Sequence, residues 1–166
     1  AFEKTDVAVY FGKPEVTVPD PYFDGKGLDR TGCKLCGGCM LGCRFNSKNT
    51  LDKNYLYLAQ KLGAEIIAEK EVYDVIPLNA DGSEGYEVKF QDSLKTFKSK
   101  SSVKTKSVIF AGGVLGTLGL LLKLKLSSLP KLSDTLGLGV RTNSESLIGV
   151  TSFNDVNLSE GIAIGS

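Results

Sequence analysis

Hydrophobic residues recur at a helical spacing in the first half of the chain. Four of them fall at positions i, i+4, i+7 and i+11, and so share one face of an α-helix: Leu51, Tyr55, Leu58 and Leu62. Asn46-Ser47 offers N-cap chemistry before this stretch, and Gly63 follows its last turn. The pattern predicts a helix from about residue 46 to residue 62, with the apolar stripe packed in the core.

Runs rich in β-branched and aromatic residues predict strands elsewhere. Five segments have this character: Val16–Val18, Ala64–Ala68, Glu71–Leu78, Tyr86–Phe90 and Leu94–Lys106. Residues 79–85, NADGSEG, have strong turn chemistry and separate the third strand from the fourth. A further apolar run, Val108–Ala111, predicts a buried strand that passes through Gly112-Gly113 into a Leu-rich helix ending near Leu126. The order of elements predicts a mixed α/β (α+β) fold with an antiparallel β insertion.

Composition excludes several classes of protein. The net charge of +1 produces no global field that would attract nucleic acid or an anionic membrane. The lysines between Lys95 and Lys106 alternate with other residues, which favours the solvated face of a strand over a phosphate-binding patch. No signal peptide is visible, and the longest apolar run is shorter than the roughly 18–20 residues that span a bilayer. These features predict a cytoplasmic protein without a transmembrane segment.

The chain contains no histidine, which is the usual general base near neutral pH. This absence makes a self-contained acid–base enzyme a poor interpretation. At 166 residues the chain has the length of one domain, or of a large piece of one. We therefore expect it to be a piece of a longer chain.

All four cysteines lie in one short segment with the spacing C-x2-C-x2-C-x3-C: Cys33, Cys36, Cys39 and Cys43. Bacterial ferredoxins hold iron–sulfur clusters with this spacing, but there the last cysteine is followed by proline, and here it is followed by Arg44. Zinc sites usually separate two C-x2-C pairs by a longer loop. Two interpretations stay open, reduced metal-free thiols in a turn-rich segment and an iron–sulfur cluster.

The segment VIFAGGVLGT, residues 108–117, combines an apolar run, a glycine turn and a helix start. Glycines let the backbone approach a dinucleotide pyrophosphate, and a helix N-terminus favours negative charge. The glycines fall at 112, 113, 116 and 119, so the complete G-x-G-x-x-G fingerprint is not met. A tight packing turn between a strand and a helix explains the same residues.

Taken together, the motifs resemble a known family. The segments GCKLCGGCMLGCRFNSKNTLDKNYL, EKEVYDVIPL, SVIFAGGVLGTLGLLLKLK and LGLGVRTNSES are similar to those of FAD-dependent glucose–methanol–choline (GMC) oxidoreductases, in particular the cholesterol-oxidase-like branch. The resemblance extends from about Pro19 to Ser166. It implies an enzyme that oxidises an alcohol, here a small sterol-like molecule, by moving hydride to FAD.

The resemblance also implies where the parts lie. Residues 1–136 would form the central part of a Rossmann-like FAD-binding domain, and residues 137–166 the start of the substrate-binding domain. Val72, Ala111 and Gly112 would contact the cofactor. The phosphate-gripping G-x-G-x-x-G and the catalytic histidine would lie outside this chain, which then has no catalytic residue and no metal ligand of its own.

Two other classes of function compete with this one. The cysteine spacing alone fits a small iron–sulfur electron-transfer protein, and the composition alone fits a binding module without chemistry. The substrate, the electron acceptor and the oligomeric state do not follow from the sequence.

Overall fold

The computed structural model describes residues 6–141, 146, 148–157 and 160–161. These residues form two compact units. The first draws on residues 1–66 and 148–166, and the second on residues 67–147. The sequence predicts a boundary between an FAD-binding part and a substrate-binding part at residues 136 and 137. That boundary concerns function, the two compact units do not test it, and it stays a prediction.

The first unit is built from short elements. Strands β1 (Thr17–Val18) and β2 (Arg30–Thr31) pair antiparallel, so the strand predicted at Val16–Val18 is confirmed, although it is short. Two single turns of 3-10 helix follow at Cys39–Leu41 and Leu51–Lys53. The one α-helix described in this unit is α1 (Tyr55–Lys61).

A buried arginine organises the turn-rich part of this unit. The Arg30 side chain is fully buried. Its Nη1 donates to the carbonyl oxygens of Leu28 at 2.7 Å and Asp29 at 3.1 Å. Its Nη2 donates to Asn49 Oδ1 at 2.9 Å and to the Lys53 carbonyl at 2.7 Å. Arg30 Nε has no hydrogen-bond partner among the described residues. The four bonds from Nη1 and Nη2 stabilise the buried charge and fix the loop segments that Arg30 joins.

Helix α1 is shorter than predicted. It begins after Asn54, whose side-chain oxygen accepts the Tyr55 N–H, and not near Asn46-Ser47. It ends as predicted at Gly63, whose φ of +94° suits glycine. The prediction of a buried apolar stripe is wrong, because Leu51 is 61% exposed, Tyr55 68% and Leu62 90%. The Phe23 ring packs edge-on against the Tyr55 ring, with 5.9 Å between their centroids, but Leu51, Tyr55 and Leu62 stay largely exposed.

The second unit contains a three-stranded antiparallel sheet in the order β3-β4-β5. The strands are β3 (Lys70–Pro77), β4 (Tyr86–Asp92) and β5 (Lys100–Thr105). The predicted insertion is therefore confirmed, with a shorter last strand than expected. Residues 93–104 are exposed, which confirms that the lysine-rich segment is a solvated face. The predicted turn at 79–85 closes through a 2.9 Å hydrogen bond from the Leu78 N–H to the Gly85 carbonyl.

Helix α2 (Gly113–Lys125) confirms the helix that the Leu-rich pattern predicted, and it contacts β3. Val75 on β3 and Leu124 on α2 are each only 1% exposed and form the apolar centre of the unit. Just beyond the helix, Ser128 Oγ donates to Asp74 Oδ1 at 2.8 Å. No helix among the described residues has the length and apolar character needed to cross a bilayer.

Two predicted strands are not formed. Ala64–Ala68 and Val108–Ala111 are extended segments without ladder partners. The burial predicted for Val108–Ala111 is also wrong at Ile109, which is 90% exposed. A strand requires a neighbour to satisfy its backbone N–H and C=O groups, and the described residues offer none to either segment. The described fold is thus a mixture of helices and antiparallel sheets.

Candidate functional site

The three residues expected to contact a cofactor lie on one cleft in the second unit. Val72, Ala111 and Gly112 all line a depression of about 700 Å³. Its walls come from β3, from the extended segment after β5, and from the first turns of α2. The structure therefore brings together residues that lie 40 positions apart in the sequence.

Val72 lies at an irregularity of the sheet. It pairs with Phe90 of β4, and the register shifts between Val72 and Asp74. A bulge of this kind bends a strand and increases its twist locally. The Val72 side chain is 38% exposed, so it presents an apolar surface to the cleft.

A glycine turn forms the opposite wall. Gly112 is the N-cap of α2, with φ −85° and ψ 23°, and has no side chain with which to cap the helix. Gly113 has φ +78°, a left-handed conformation that favours glycine. The Gly112 N–H donates to Thr117 Oγ1 at 3.0 Å, which ties the turn to the second turn of the helix.

Open space lies above this turn and along the helix. A Cβ atom built on Gly113, Gly116 or Gly119 would meet no atom within 4 Å. On Gly112 it would meet only Thr117 Oγ1, at 3.5 Å. Glycines at these positions are therefore not required by packing within the described chain. Together with the positive end of the helix dipole, they form a cradle into which an anionic or planar ligand can come close to the backbone.

Three charged side chains line the cleft, those of Lys70, Glu71 and Lys123. Side-chain hydrogen bonds from Gln91 and Lys98 lower the pKa of Glu71, whose Oε2 lies 3.0 Å from Lys98 Nζ. Lys70 forms an ion pair with Asp92. Lys123 forms no ion pair among the described residues, and its Nζ donates to the Tyr73 carbonyl at 3.4 Å.

Gly113, which does not line the cleft, carries the positive φ that favours glycine in the turn, and Gly112 does not. One residue of the cleft was missed at the sequence level. Lys123 lines the cleft although it lies 11 positions after Gly112. That spacing is close to three helical turns, so the periodicity of the Leu-rich helix contained the signal.

The four cysteines line a separate cavity of about 260 Å³ in the first unit. All four are free thiols, each half-buried. Within the described residues, no three His, Cys, Asp or Glu side chains are arranged to hold a metal ion. The iron–sulfur interpretation therefore has no support from this geometry.

A glycine turn that opens a helix beside a cleft is what the resemblance to flavin-dependent oxidoreductases implied. Comparison with protein families agrees, since residues 27–139 match the GMC oxidoreductase family. The chain belongs to that family.

Individual relatives carry a more specific name. A cholesterol oxidase of Acinetobacter baumannii is 53% identical over 99% of this chain, which corresponds to 31% of that protein. A cholesterol oxidase of Mycobacterium tuberculosis (strain CDC 1551 / Oshkosh) is 41% identical over 98% of this chain and 29% of its own length. This chain thus spans less than a third of each of these relatives. No solved structure matches it significantly.

Proposed function

We propose that this chain is the central part of an FAD-dependent oxidoreductase that oxidises an alcohol group, with a sterol as the substrate. The family supports the class of reaction, and the names of the two cholesterol oxidases support the substrate. The observation that carries the proposal is the cleft where Val72, Ala111 and Gly112 meet.

The residues of the cleft fit FAD. Four glycines along the start of α2 leave space that side chains would fill, and the helix N-terminus lacks a side-chain cap. Bound FAD would supply a flavin ring that accepts hydride from the alcohol carbon. No step of that chemistry requires a titratable side chain of this chain.

The roles of the chain are binding and orientation. Val72 would present its backbone and apolar side chain to one part of the cofactor, and Ala111 and Gly112 would let another part approach the main chain. Lys123 would place its positive charge near the negative charge of the bound cofactor in the same cleft. In the parent protein these residues would belong to a Rossmann-like FAD-binding domain comprising residues 1–136, with a substrate-binding domain starting at 137–166.

The remaining parts of the proposed enzyme would lie elsewhere. The chain has no histidine to take the hydroxyl proton, and its glycines do not complete the phosphate-binding fingerprint. A catalytic histidine and a G-x-G-x-x-G turn are therefore proposed for other parts of the parent protein. The cytoplasmic location stays a prediction from the sequence.

The test uses Gly112→Leu in the full-length protein. The φ of −85° at this position and the single neighbour at 3.5 Å let the fold accept a side chain. The leucine would instead occupy the space proposed for FAD. We expect loss of flavin absorbance per protein after desalting, with unchanged far-UV circular dichroism.

Gly149→Leu is the matched control. Gly149 also has open space and no positive φ, and it lies outside the cleft. This variant should retain a full complement of flavin. If Gly112→Leu also retains its flavin, the glycine turn is not part of the FAD site. If the wild-type protein turns over no sterol while it binds FAD, the substrate is wrong and the cofactor site stands.

A further inference from the structure

The cysteine cavity is a second site, distinct from the cleft. It is lined by all four thiols and by three basic side chains, those of Lys34, Arg44 and Lys48. No acidic side chain is among its lining residues. The site therefore combines nucleophilic sulfur with positive charge.

Cys43 has the environment of a reactive thiol. Its Sγ accepts the Ser47 N–H at 3.4 Å. Burial alone would raise the pKa of Cys43, but hydrogen bonds from the backbone N–H groups of Ser47, Lys48 and Phe45 outweigh it and lower the pKa. The thiolate is the form that attacks disulfides and other soft electrophiles, so these bonds favour reaction.

Ser47 provides independent evidence for a ligand or a thiolate here. The residue is 1% exposed, and its hydroxyl has no partner that meets hydrogen-bond geometry. That absence of a partner holds among the described residues in the thiol form of Cys43, and the Ser47 hydroxyl lies near enough to the Cys43 sulfur to help lower its pKa as a donor to the thiolate. A buried hydroxyl without a partner is costly, and a negatively charged sulfur at Cys43 would offer it an acceptor.

The cations are not all neutralised. Lys34 pairs with Glu15 at 3.1 Å, and Lys48 Nζ donates to the Cys39 carbonyl at 3.1 Å. Arg44 is exposed and has no carboxylate partner among the described residues. A reagent that carries carboxylates is therefore favoured over a cationic one.

We propose that this cavity is a thiol-modification site, at which Cys43 forms a mixed disulfide with a low-molecular-weight disulfide bearing carboxylate groups. The Cys43 thiolate attacks one sulfur of the reagent, and a new S–S bond forms as the reagent's own S–S bond breaks. The released thiolate leaves with the electron pair and takes a proton from water. The protein thiol is oxidised, and half of the reagent is reduced to a thiol.

The experiment treats the reduced full-length protein with oxidised glutathione and follows each cysteine by peptide mass mapping. A lowered pKa raises the fraction of thiolate, and the accompanying loss of nucleophilicity offsets this gain only in part. We therefore expect Cys43 to react faster than Cys33, Cys36 or Cys39 at pH 7. Because the wild-type protein supplies all four rates, the comparison does not depend on a variant that folds.

Charge selectivity is tested with cystamine, a disulfide that carries positive charges, and the rate of each reagent at Cys43 is divided by its rate with a small free thiol to remove the difference in leaving group. Cys43 should react faster with oxidised glutathione than with cystamine at low salt, and the difference should shrink in 0.5 M NaCl, a concentration chosen to screen charges. Arg44→Gln should reduce the preference, and Arg141→Gln, an exposed arginine outside the cavity, should not. Ser47→Ala should slow the reaction of Cys43.

Three results would overturn the proposal. Equal rates at the four cysteines would show that Cys43 has no special reactivity. Equal rates for the two reagents would remove the charge argument. One zinc or four irons bound per purified protein would show that the thiols are ligands.

Discussion

The backbone N–H of Gly112 donates a 3.0 Å hydrogen bond to the side-chain oxygen of Thr117, five residues later. Both residues line the cleft proposed for FAD. This bond joins the turn that precedes α2 to the helix itself, so the position of the glycine turn depends on a side chain from the second helical turn. Several expected outcomes follow from this arrangement and from the few buried contacts of the chain.

Thr117→Val removes the acceptor and keeps the shape of the side chain. The Gly112 N–H is exposed and can bond to water, so the expected cost is about 0.5–1.5 kcal/mol in the free energy of unfolding. Flavin affinity should fall as well, because the turn is no longer held. Thr117→Ser retains the hydroxyl and should behave like the wild type in urea unfolding and in flavin titration. Equal behaviour of the two variants would show that the hydrogen bond is not what positions the turn.

Gly113→Ala should destabilise the protein by about 1–2 kcal/mol, because a side chain is strained at φ +78° even where space is open. Gly116→Ala is the matched substitution three residues later, within the helix and equally unobstructed. There alanine should stabilise by about 0.5–1 kcal/mol. Urea unfolding of both variants checks the opposite signs, and two changes of the same sign would contradict the assignment of the turn.

Leu124→Ala should cost about 2–5 kcal/mol, because the side chain is 1% exposed and its loss leaves a cavity against the sheet. Leu126→Ala, two residues on, removes a side chain that is 90% exposed and should change stability by less than about 0.5 kcal/mol. Thermal unfolding of the two variants separates them. If both cost the same, Leu124 is not the packing centre of this unit.

Arg30→Lys should destabilise the first unit by about 2 kcal/mol or more. Lysine keeps the charge but cannot supply the two separate nitrogens that reach four acceptors, among them Asn49 Oδ1 and the Lys53 carbonyl. Arg44→Lys changes an exposed arginine in the same unit and should be nearly neutral. Protection of amide hydrogens around Arg30 against exchange is the most local measurement, and it should fall only in the first variant.

The ionisation of Asp20 should make the stability of the first unit depend on pH in the acidic range. Burial raises the pKa of this carboxyl, but hydrogen bonds from the N–H groups of Tyr22, Gly27 and Phe23 outweigh it, and the folded-state pKa lies below the ordinary value of 3.8. A depressed pKa adds stability that is present above pH 3.8 and is lost as the pH falls through the folded-state value.

Asp20→Asn removes this titration. We expect the variant to be less stable than the wild type at pH 7 and to lose less stability than the wild type between pH 5 and pH 2, a range chosen to bracket the titration. Asp24→Asn, an exposed carboxyl in the same loop, is the control and should leave the acid dependence unchanged. If the stability of Asp20→Asn fell with pH as steeply as that of the wild type, another carboxyl would be responsible for the acid dependence.

Local chemistry determined much of what the structure shows. The three antiparallel strands, the turn at 79–85 and the helix that begins at Gly113 each follow from short-range patterns of β-branched residues, turn formers and leucines. Their hydrogen-bond partners lie within the helix itself or on a neighbouring strand joined by a short connection. The cysteine spacing and the glycine turn were also sufficient to indicate the family.

Tertiary structure decided the remainder. Ala64–Ala68 and Val108–Ala111 have the composition of strands, but a strand forms only where another segment satisfies its backbone groups, and local composition does not reveal whether one is present. Only folding places Val72 of β3 and Gly112 on one cleft, assigns the positive φ to Gly113, and buries the Ser47 hydroxyl near Cys43. The shared cleft depends on packing between segments distant in the sequence, and the φ angle and the buried hydroxyl depend on the backbone conformation that the folded chain adopts. Residue spacing alone encodes neither.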